Sequence, residues 1–281
     1  MGLLGKIDQY RRGAVDRQRL AIAILIDDHG YAPDRVERQI LRPQVIACSA
    51  TVGNPQDLAQ TLFGRKFRVI DDDGSPRGRR TYVFWNPPRV RGTRVRSRRS
   101  ANVEAHELMA ALVADGAATI TFSKAKMTAE MIHRYVCERL REIAPHLAGK
   151  IAPYRGGYRP NERREIERRL FSGELVGVSA TRALELGIDV GSLDAAVIVG
   201  HPGTRASFYQ QSGRAGRRAG DAVVFLVGLD TTINQYLMSH PQYLFDPIAH
   251  PPEFLRRQPE AGERLEHFGV GGEGDTLERT G

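Results

Sequence analysis

Ala195-Ala196-Val197-Ile198-Val199 and Ala222-Val223-Val224-Phe225-Leu226-Val227 are the stretches on which the fold turns. Each is a continuous apolar run of strand length, the pattern of a strand buried on both faces. Shorter runs recur at Ala118-Thr119-Ile120-Thr121-Phe122 and at Leu175-Val176-Gly177-Val178. Between the runs the apolar period becomes helical. One helix is predicted through Leu108, Leu112 and Val113; another spans roughly 125–143, with Met131, Ile132, Tyr135, Val136 and Leu140 at helical spacing. Pro160 opens a charged helix in which Ile166 and Leu170 face inward and Glu165 reaches Arg169 at i,i+4. The alternation specifies an α/β fold, a parallel sheet with helices on both faces. Folds of this kind bind ligands beyond the carboxyl ends of their strands.

Upstream, Gln44-Val45-Ile46-Ala47-Cys48 reads as a short buried strand ending at Ser49-Ala50-Thr51. Asn54-Pro55 opens a helix through Leu58 and Leu62, and Gly64 closes it. Before residue 42 the one apolar run is Leu20 to Ile26. Asp71-Asp72-Asp73-Gly74-Ser75-Pro76 reads as a turn, Tyr82-Val83-Phe84-Trp85 as a strand, and Asn86-Pro87-Pro88 as its stop. Arg89, Arg91, Arg94, Arg96, Arg98 and Arg99 follow with few apolar neighbours. Two readings stay open for them, a solvated loop and a set of contacts to nucleic-acid phosphates.

Bulk properties set outer bounds. Of 281 residues 41% are hydrophobic, enough for a buried core, and no apolar run approaches the length of a membrane span. Met1-Gly2-Leu3-Leu4-Gly5-Lys6 lacks a sustained apolar stretch and a small-residue cleavage site, so a cytoplasmic protein without a membrane partner is expected. Two cysteines, Cys48 and Cys137, are too few for a disulfide framework or a four-ligand zinc cage, so no zinc is expected. The net charge of +8 favours a polyanionic partner.

The strongest chemical signal is Gln210-Gln211-Ser212-Gly213-Arg214-Ala215-Gly216-Arg217-Arg218. Arg214 and Arg217 lie three apart and are expected on one helical face, with Gly213 and Gly216 leaving room for a ligand. Such a pair suits a nucleotide γ-phosphate, where an arginine finger contributes on the order of 10³–10⁵ in rate. Read alone, the segment favours the plainer reading, a basic helix with flexible glycines. Ahead of it, Ser179-Ala180-Thr181-Arg182-Ala183-Leu184-Glu185-Leu186-Gly187-Ile188-Asp189 follows a predicted strand. Thr181 offers a hydroxyl to a backbone phosphate and Asp189 a carboxylate to a ribose, although Gly-x-Asp is most often structural.

Taken in order, these segments resemble the motifs of superfamily-two DEAD/DEAH-box helicases. Ser49-Ala50-Thr51 is similar to the motif that couples ATP hydrolysis to strand movement. The strand ending at Phe122-Ser123 is similar to the motif that opens the second RecA-like domain. Tyr154-Arg155-Gly156-Gly157-Tyr158 stands where the family often has a His-x-Gly loop on the nucleic-acid backbone, with Arg155 departing from the histidine. Ala180 to Asp189 resembles the fifth motif and Gln210 to Arg217 the sixth. A narrower resemblance joins Asp73 to Gly78, Phe84 to Pro88, Arg163 to Glu167 and Asn234-Gln235-Tyr236-Leu237-Met238 to bacterial DNA helicases of the mitomycin-repair type, relatives of RecQ-like fungal enzymes. It implies tracking along single-stranded DNA from 3′ to 5′ and a place in DNA repair.

The resemblance implies a domain plan. Residues 1–70 would be a remnant of the first RecA-like domain, 71–100 an arginine-rich connector, 101–230 the second RecA-like domain and 231–281 a tail. It also implies roles. Arg214 and Arg217 would be catalytic; Gly187, Asp189 and Gln210 would join them in holding ATP. Ser123, Arg155, Gly156 and Thr181 would hold DNA, and Ser49 and Thr51 would couple the two. The P-loop pattern Gly-x-x-x-x-Gly-Lys-Ser/Thr does not occur, since Gly5-Lys6 is followed by Ile7. Asp27-Asp28-His29 is a poor substitute for Asp-Glu-x-His and reads as a solvated turn. An N-terminally truncated motor is therefore expected, inactive alone, using Mg²⁺ only if the missing motifs are supplied by a first domain, for which a separate polypeptide is one candidate source. The alternative is a non-catalytic nucleic-acid-binding or regulatory module built on a helicase fold.

Overall fold

The computed structural model describes residues 23–27, 45–49, 54–70, 78–90, 97–185, 193–216 and 220–245. Its centre is a six-stranded sheet in the order β4-β9-β8-β5-β7-β6, with every neighbouring pair parallel. The strands are β4 (Arg80–Trp85), β5 (Thr119–Phe122), β6 (Ile151–Tyr154), β7 (Gly177–Ala180), β8 (Ala195–Val199) and β9 (Ala222–Val227). Parallel neighbours require crossovers, and helices α2 (Ala101–Ala114), α3 (Lys126–Ile143), α4 (Pro160–Phe171), α5 (Arg205–Ser212) and α6 (Thr232–Ser239) accompany them.

Alternate residues of each strand enter different cores, which is why β8 and β9 are apolar throughout. Ala196, Ile198, Val224 and Leu226 pack with Leu170 of α4, Phe208 of α5 and Leu237 of α6. Ala195, Val197, Val199, Val223, Phe225 and Val227 pack with Leu108, Met109, Leu112 and Val113 of α2 and Ile132, Val136 and Leu140 of α3. Both faces are covered, as the apolar runs required. On α3, however, Met131 and Tyr135 are 45% and 40% exposed. They sit beside the buried stripe Ala129, Ile132, Val136 and Leu140, on which the helix packs, and Tyr135 meets the His106 ring at 5.4 Å.

Four local expectations shift. Strand β7 lies two residues later than Leu175–Val178, so Ser179 and Ala180 belong to it. Gly177 holds that register: a Cβ there would meet Ile151 Cδ1 at 2.7 Å and Met109 Cε at 2.9 Å. Glu165 pairs with Arg168 at 2.7 Å rather than with Arg169, because Glu174 beyond the helix takes Arg169 at 2.8 Å. The stretch 71–100 is more than a connector, since β4 within it is an edge strand of the sheet, Arg80 to Trp85 pairing with Ala222 to Val227. Likewise α6 and the 3-10 helix Pro241–Leu244, expected in a tail, bury Leu237 and Leu244 in the core.

The connector arginines divide. Arg89 bridges Arg98, and Arg98 donates from Nη1 to the Pro87 carbonyl at 2.8 Å. Arg99 pairs with Glu104 at 3.0 Å. Arg91, Arg94, Arg96 and the turn Asp71–Pro76 lie outside the described residues.

A second, three-stranded sheet has the order β2-β1-β3, from β1 (Ala23–Asp27), β2 (Ile46–Ser49) and β3 (Phe67–Ile70), all antiparallel. Helix α1 (Pro55–Phe63) begins after Asn54 and ends at Gly64, whose φ of 67° suits glycine. The strand expected to be buried is not: Ile46 is 64% exposed and Cys48 is exposed. The core beside it, Ala59 and Phe67 with Val45, Ala47 and Val69, is too small to cover it. Asp27 closes β1, while Asp28 and His29 lie outside the described residues.

Candidate functional site

The ends of β5, β7 and β6 bring three sequence-distant candidates side by side. Ser123 follows β5 and its N–H donates to the Ala180 carbonyl at 2.9 Å. Thr181 follows β7 and its N–H donates to the Tyr154 carbonyl at 3.1 Å. Arg155 and Gly156 follow β6. With strands about 4.8 Å apart, the row spans on the order of 10 Å. Both hydroxyls have local partners: Ser123 Oγ donates to the Ala125 carbonyl, and Thr181 Oγ1 accepts from the Ala183 N–H, capping a short 3-10 helix.

Arg155 is not a bare cation. Its Nε lies 2.6 Å from Glu130 Oε1 on α3, and its guanidinium lies over the Tyr158 ring at 5.0 Å. A side chain at Gly156 would meet nothing within 4 Å, so the loop is open there. Gly157, at φ 102°, has Lys126 Nζ 3.8 Å from the position of an added Cβ. Lys124 and Lys126 both follow Ser123, carry no motif signal of their own, and bring positive charge to the same edge.

The sixth-motif segment departs from the expected helix. Helix α5 begins at its cap Thr204, which accepts from the Ser207 N–H at 3.1 Å, and ends at Ser212. Arg214 therefore stands in the turn beyond it, while Arg217 lies outside the described residues. Arg214 is thus off the helical face expected to carry both arginines. The glycines serve the chain's own packing rather than ligand approach. A Cβ at Gly213 would meet the Tyr209 carbonyl at 2.9 Å, and one at Gly216 would meet Ala222 Cβ at 2.8 Å, with φ at 73°.

Arg214 is 4% exposed, and its Nη2 donates to the Glu185 carbonyl at 2.5 Å. Glu185, 7% exposed, is the centre of this region. Its carboxylate accepts from Ser207 Oγ at 2.5 Å and Gln211 Nε2 at 2.9 Å, and lies 4.0 Å from Arg182 Nε. One residue of the fifth motif thus fixes α5 and the first arginine of the sixth. No local pattern announces this, because its partners lie 22 and 26 residues away. Gln210 is half-buried on α5. Gly187, Asp189 and Thr51 lie outside the described residues, and Ser49 pairs with Ala23 across β2 and β1.

Two of the segments that carried the narrower resemblance meet at the same edge. Asn86 and Gln235 exchange amide hydrogen bonds at 3.1 and 3.2 Å, and Gln235 also donates to the Leu229 carbonyl at 2.9 Å. Asn234, 2% exposed, accepts from the His201 N–H at 2.8 Å and donates to Thr231 Oγ1 at 2.7 Å. The loops after β4, β8 and β9 are thereby tied together.

Burial lowers the pKa of His201, helped by Lys124 and Arg205, and burial lowers that of His133 against the opposing Ile151 carbonyl and Glu130. Unfolded, each takes a proton near its ordinary 6.5; folded, only at lower pH. Their contribution to stability is complete above that value and is lost as pH falls through it toward the folded values. The melting temperature is expected to drop between about pH 7.5 and about pH 5.5. Replacing both histidines by asparagine should flatten that dependence, and an unchanged slope would dismiss them as its origin.

Comparison with known proteins agrees with this geometry. Residues 104–219 match the helicase conserved C-terminal domain. The chain is 43% identical over 219 residues to the uncharacterized ATP-dependent helicase YprA of Bacillus subtilis, covering 78% of this chain and 28% of YprA. It is 38% identical over 205 residues to the ATP-dependent helicase HRQ1 of Saccharomyces cerevisiae, covering 72% of this chain and 19% of HRQ1. The crystal structure of the DUF1998 helicase MrfA bound to DNA superposes with a TM-score of 0.66 at 43% identity, covering 70% of this chain and 26% of MrfA. The chain thus spans between about a fifth and somewhat over a quarter of these relatives. With its parallel sheet and ordered motifs, it belongs to the superfamily-two helicases and carries their conserved C-terminal, second RecA-like domain.

Proposed function

We propose that this chain supplies the C-terminal half of an ATP-driven DNA helicase motor, holding single-stranded DNA and one side of an ATP cleft. The observation that carries the reading is the alignment of Ser123, Thr181 and Arg155 at adjacent strand ends, beside the Glu185-anchored Arg214. Contacts from such a row to phosphates position a strand without reading its sequence. ATP would lie against Gly187, Gln210, Arg214 and Arg217, with Asp189 at the ribose. A guanidinium fixed by a backbone carbonyl fits that task, because its orientation need not be found during reaction.

The 281 residues contain no P-loop pattern, so turnover is assigned to this chain only together with a first RecA-like domain. Among the described residues no group of three or more potential metal ligands stands together. The resemblance places the magnesium ligands in that first domain, and no step is routed through the ion. Service in DNA repair, a cytoplasmic location, a first-domain remnant at 1–70 and a coupling role for Ser49 and Thr51 belong to the same proposal, supported by the resemblance. Among the described residues no helix is long and apolar enough to cross a membrane.

The test is anisotropy of labelled oligo(dT) against this chain over a range of salt. Log affinity should fall linearly with log salt, by about 0.7 per phosphate contact. Arg155→Ala should reduce that slope by about 0.7. Glu130→Gln, which frees Arg155 from its ion pair, should tighten binding severalfold. Salt-indifferent binding, or no response to either substitution, would remove DNA from the proposal.

A further inference from the structure

We propose that the loop from Gly200 to Thr204 is a phosphate site, in which His201 Nε2–H donates to a phosphate oxygen held first by Lys124. The loop follows β8, and Ser123-Lys124 follows its neighbour β5, so the site continues the DNA row by one strand. It rests on the DNA reading for that position, and on independent chemistry for the ligand.

His201 is 7% exposed, and two of its three nitrogens are engaged. Its backbone N–H donates to Asn234 Oδ1, and its Nδ1 accepts from the Gly203 N–H at 3.2 Å. An Nδ1 that accepts leaves the neutral ring's proton on Nε2. That Nε2 is buried and has no hydrogen-bond partner. The ring stays neutral, since burial, Lys124 and Arg205 all oppose a further proton. A buried N–H donor without an acceptor is rare in a folded chain and points to a missing group.

The surroundings say what that group is. Arg182 Nη2 donates to the Pro202 carbonyl and would lie 3.3 Å from a Cβ on Gly203. Lys124 is exposed, and Arg205 stands at the start of α5. Glu185, 4.0 Å from Arg182 Nε, already accepts from Ser207 and Gln211. Positive charge around a neutral donor calls for an anion with a free oxygen. Because Nε2 is covered without a ligand, occupation requires a local opening, and exposed Lys124 gives the phosphate its first contact.

A phosphate oxygen could come from a DNA backbone or from a nucleotide, and the experiment separates them. The full chain, His201→Phe, Lys124→Gln and Arg155→Ala are titrated with labelled oligo(dT) and, separately, with ATP. A loss of about tenfold in oligo(dT) affinity for both of the first two variants, with ATP unchanged, assigns the backbone. The same loss for ATP alone assigns the nucleotide. Should both affinities stay at the parental value in variants that melt normally, the site does not exist. Against misfolding of His201→Phe, the unmodified chain is followed by imidazole ¹H–¹⁵N spectra, in which the His201 Nε2–H resonance must move on saturation with oligo(dT) or ATP. A resonance that stays fixed with both overturns the proposal. If oligo(dT) fails to bind the unmodified chain, the DNA reading falls, while the ATP titration and the spectra still decide the site.

Discussion

Joining this chain to a first RecA-like domain with an intact P-loop and magnesium motif is expected to restore ATP turnover, and Arg214→Ala is expected to lower that turnover on the order of 10³-fold. The interaction strengthens as charge builds on the transferring phosphoryl group, so the loss should fall on kcat far more than on DNA affinity. Arg217→Ala should act the same way. The buried position of Arg214 adds a second consequence. Its Nη2 holds the Glu185 carbonyl, so alanine should also cost the chain about 2 kcal/mol of stability, the range of a hydrogen bond to a charged donor. Arg214→Lys separates the two effects: it keeps a positive charge but loses the planar fork. Turnover and DNA affinity measured side by side decide the matter. If the arginine variants turn over ATP at the parental rate while losing DNA, and Thr181→Val spares DNA binding, the assignment of roles is reversed.

Glu185→Ala should be strongly destabilising, by about 2–4 kcal/mol, from the buried hydrogen bonds it breaks. It strips an acceptor from Ser207 and Gln211 and leaves Arg182 without its ion pair, all at a residue 7% exposed. Buried donors left unmade are costly because water cannot replace the lost partner. Glu185→Gln keeps the volume and one acceptor oxygen, so it should cost distinctly less. Urea unfolding of the chain itself measures both, with the exposed Glu138→Ala as reference. A Glu185→Ala variant no less stable than that reference would show that the network is ornamental. A double-mutant cycle with Ser207→Ala would then locate how much of the loss belongs to that one bond.

These results depend differently on sequence and on tertiary structure. Periodicity alone revealed β8, β9 and the inward stripes of α2 and α4, because a strand apolar on both faces has few alternatives. It missed the membership of β4, whose Tyr82-Val83-Phe84-Trp85 run was recognised as a strand but not placed in the sheet. Parallel pairing with β9 joins residues about 140 positions apart, and no local signal reports such a partner. Ile46 and Cys48 show the converse. Their composition resembles that of a buried strand, yet burial requires a covering layer, and Ala59 and Phe67 are too little to supply one.

At the candidate site the sequence by itself determined the motif residues and their order, hence the superfamily and the chemistry to look for. Ser123 and Arg155 were legible through their places in the resemblance to the family's motifs, and Thr181 also through its hydroxyl directly after a strand. What only the tertiary structure decided was which side chains are already spoken for. Arg155 faces Glu130, Arg214 is buried against Glu185, the sixth-motif glycines answer to Tyr209 and Ala222, and His201 keeps one donor unmatched. The physical reason is range. Residue type and spacing act over a few bonds, whereas pairing, burial and the loss of solvent are settled by whichever distant segment folds against a side chain.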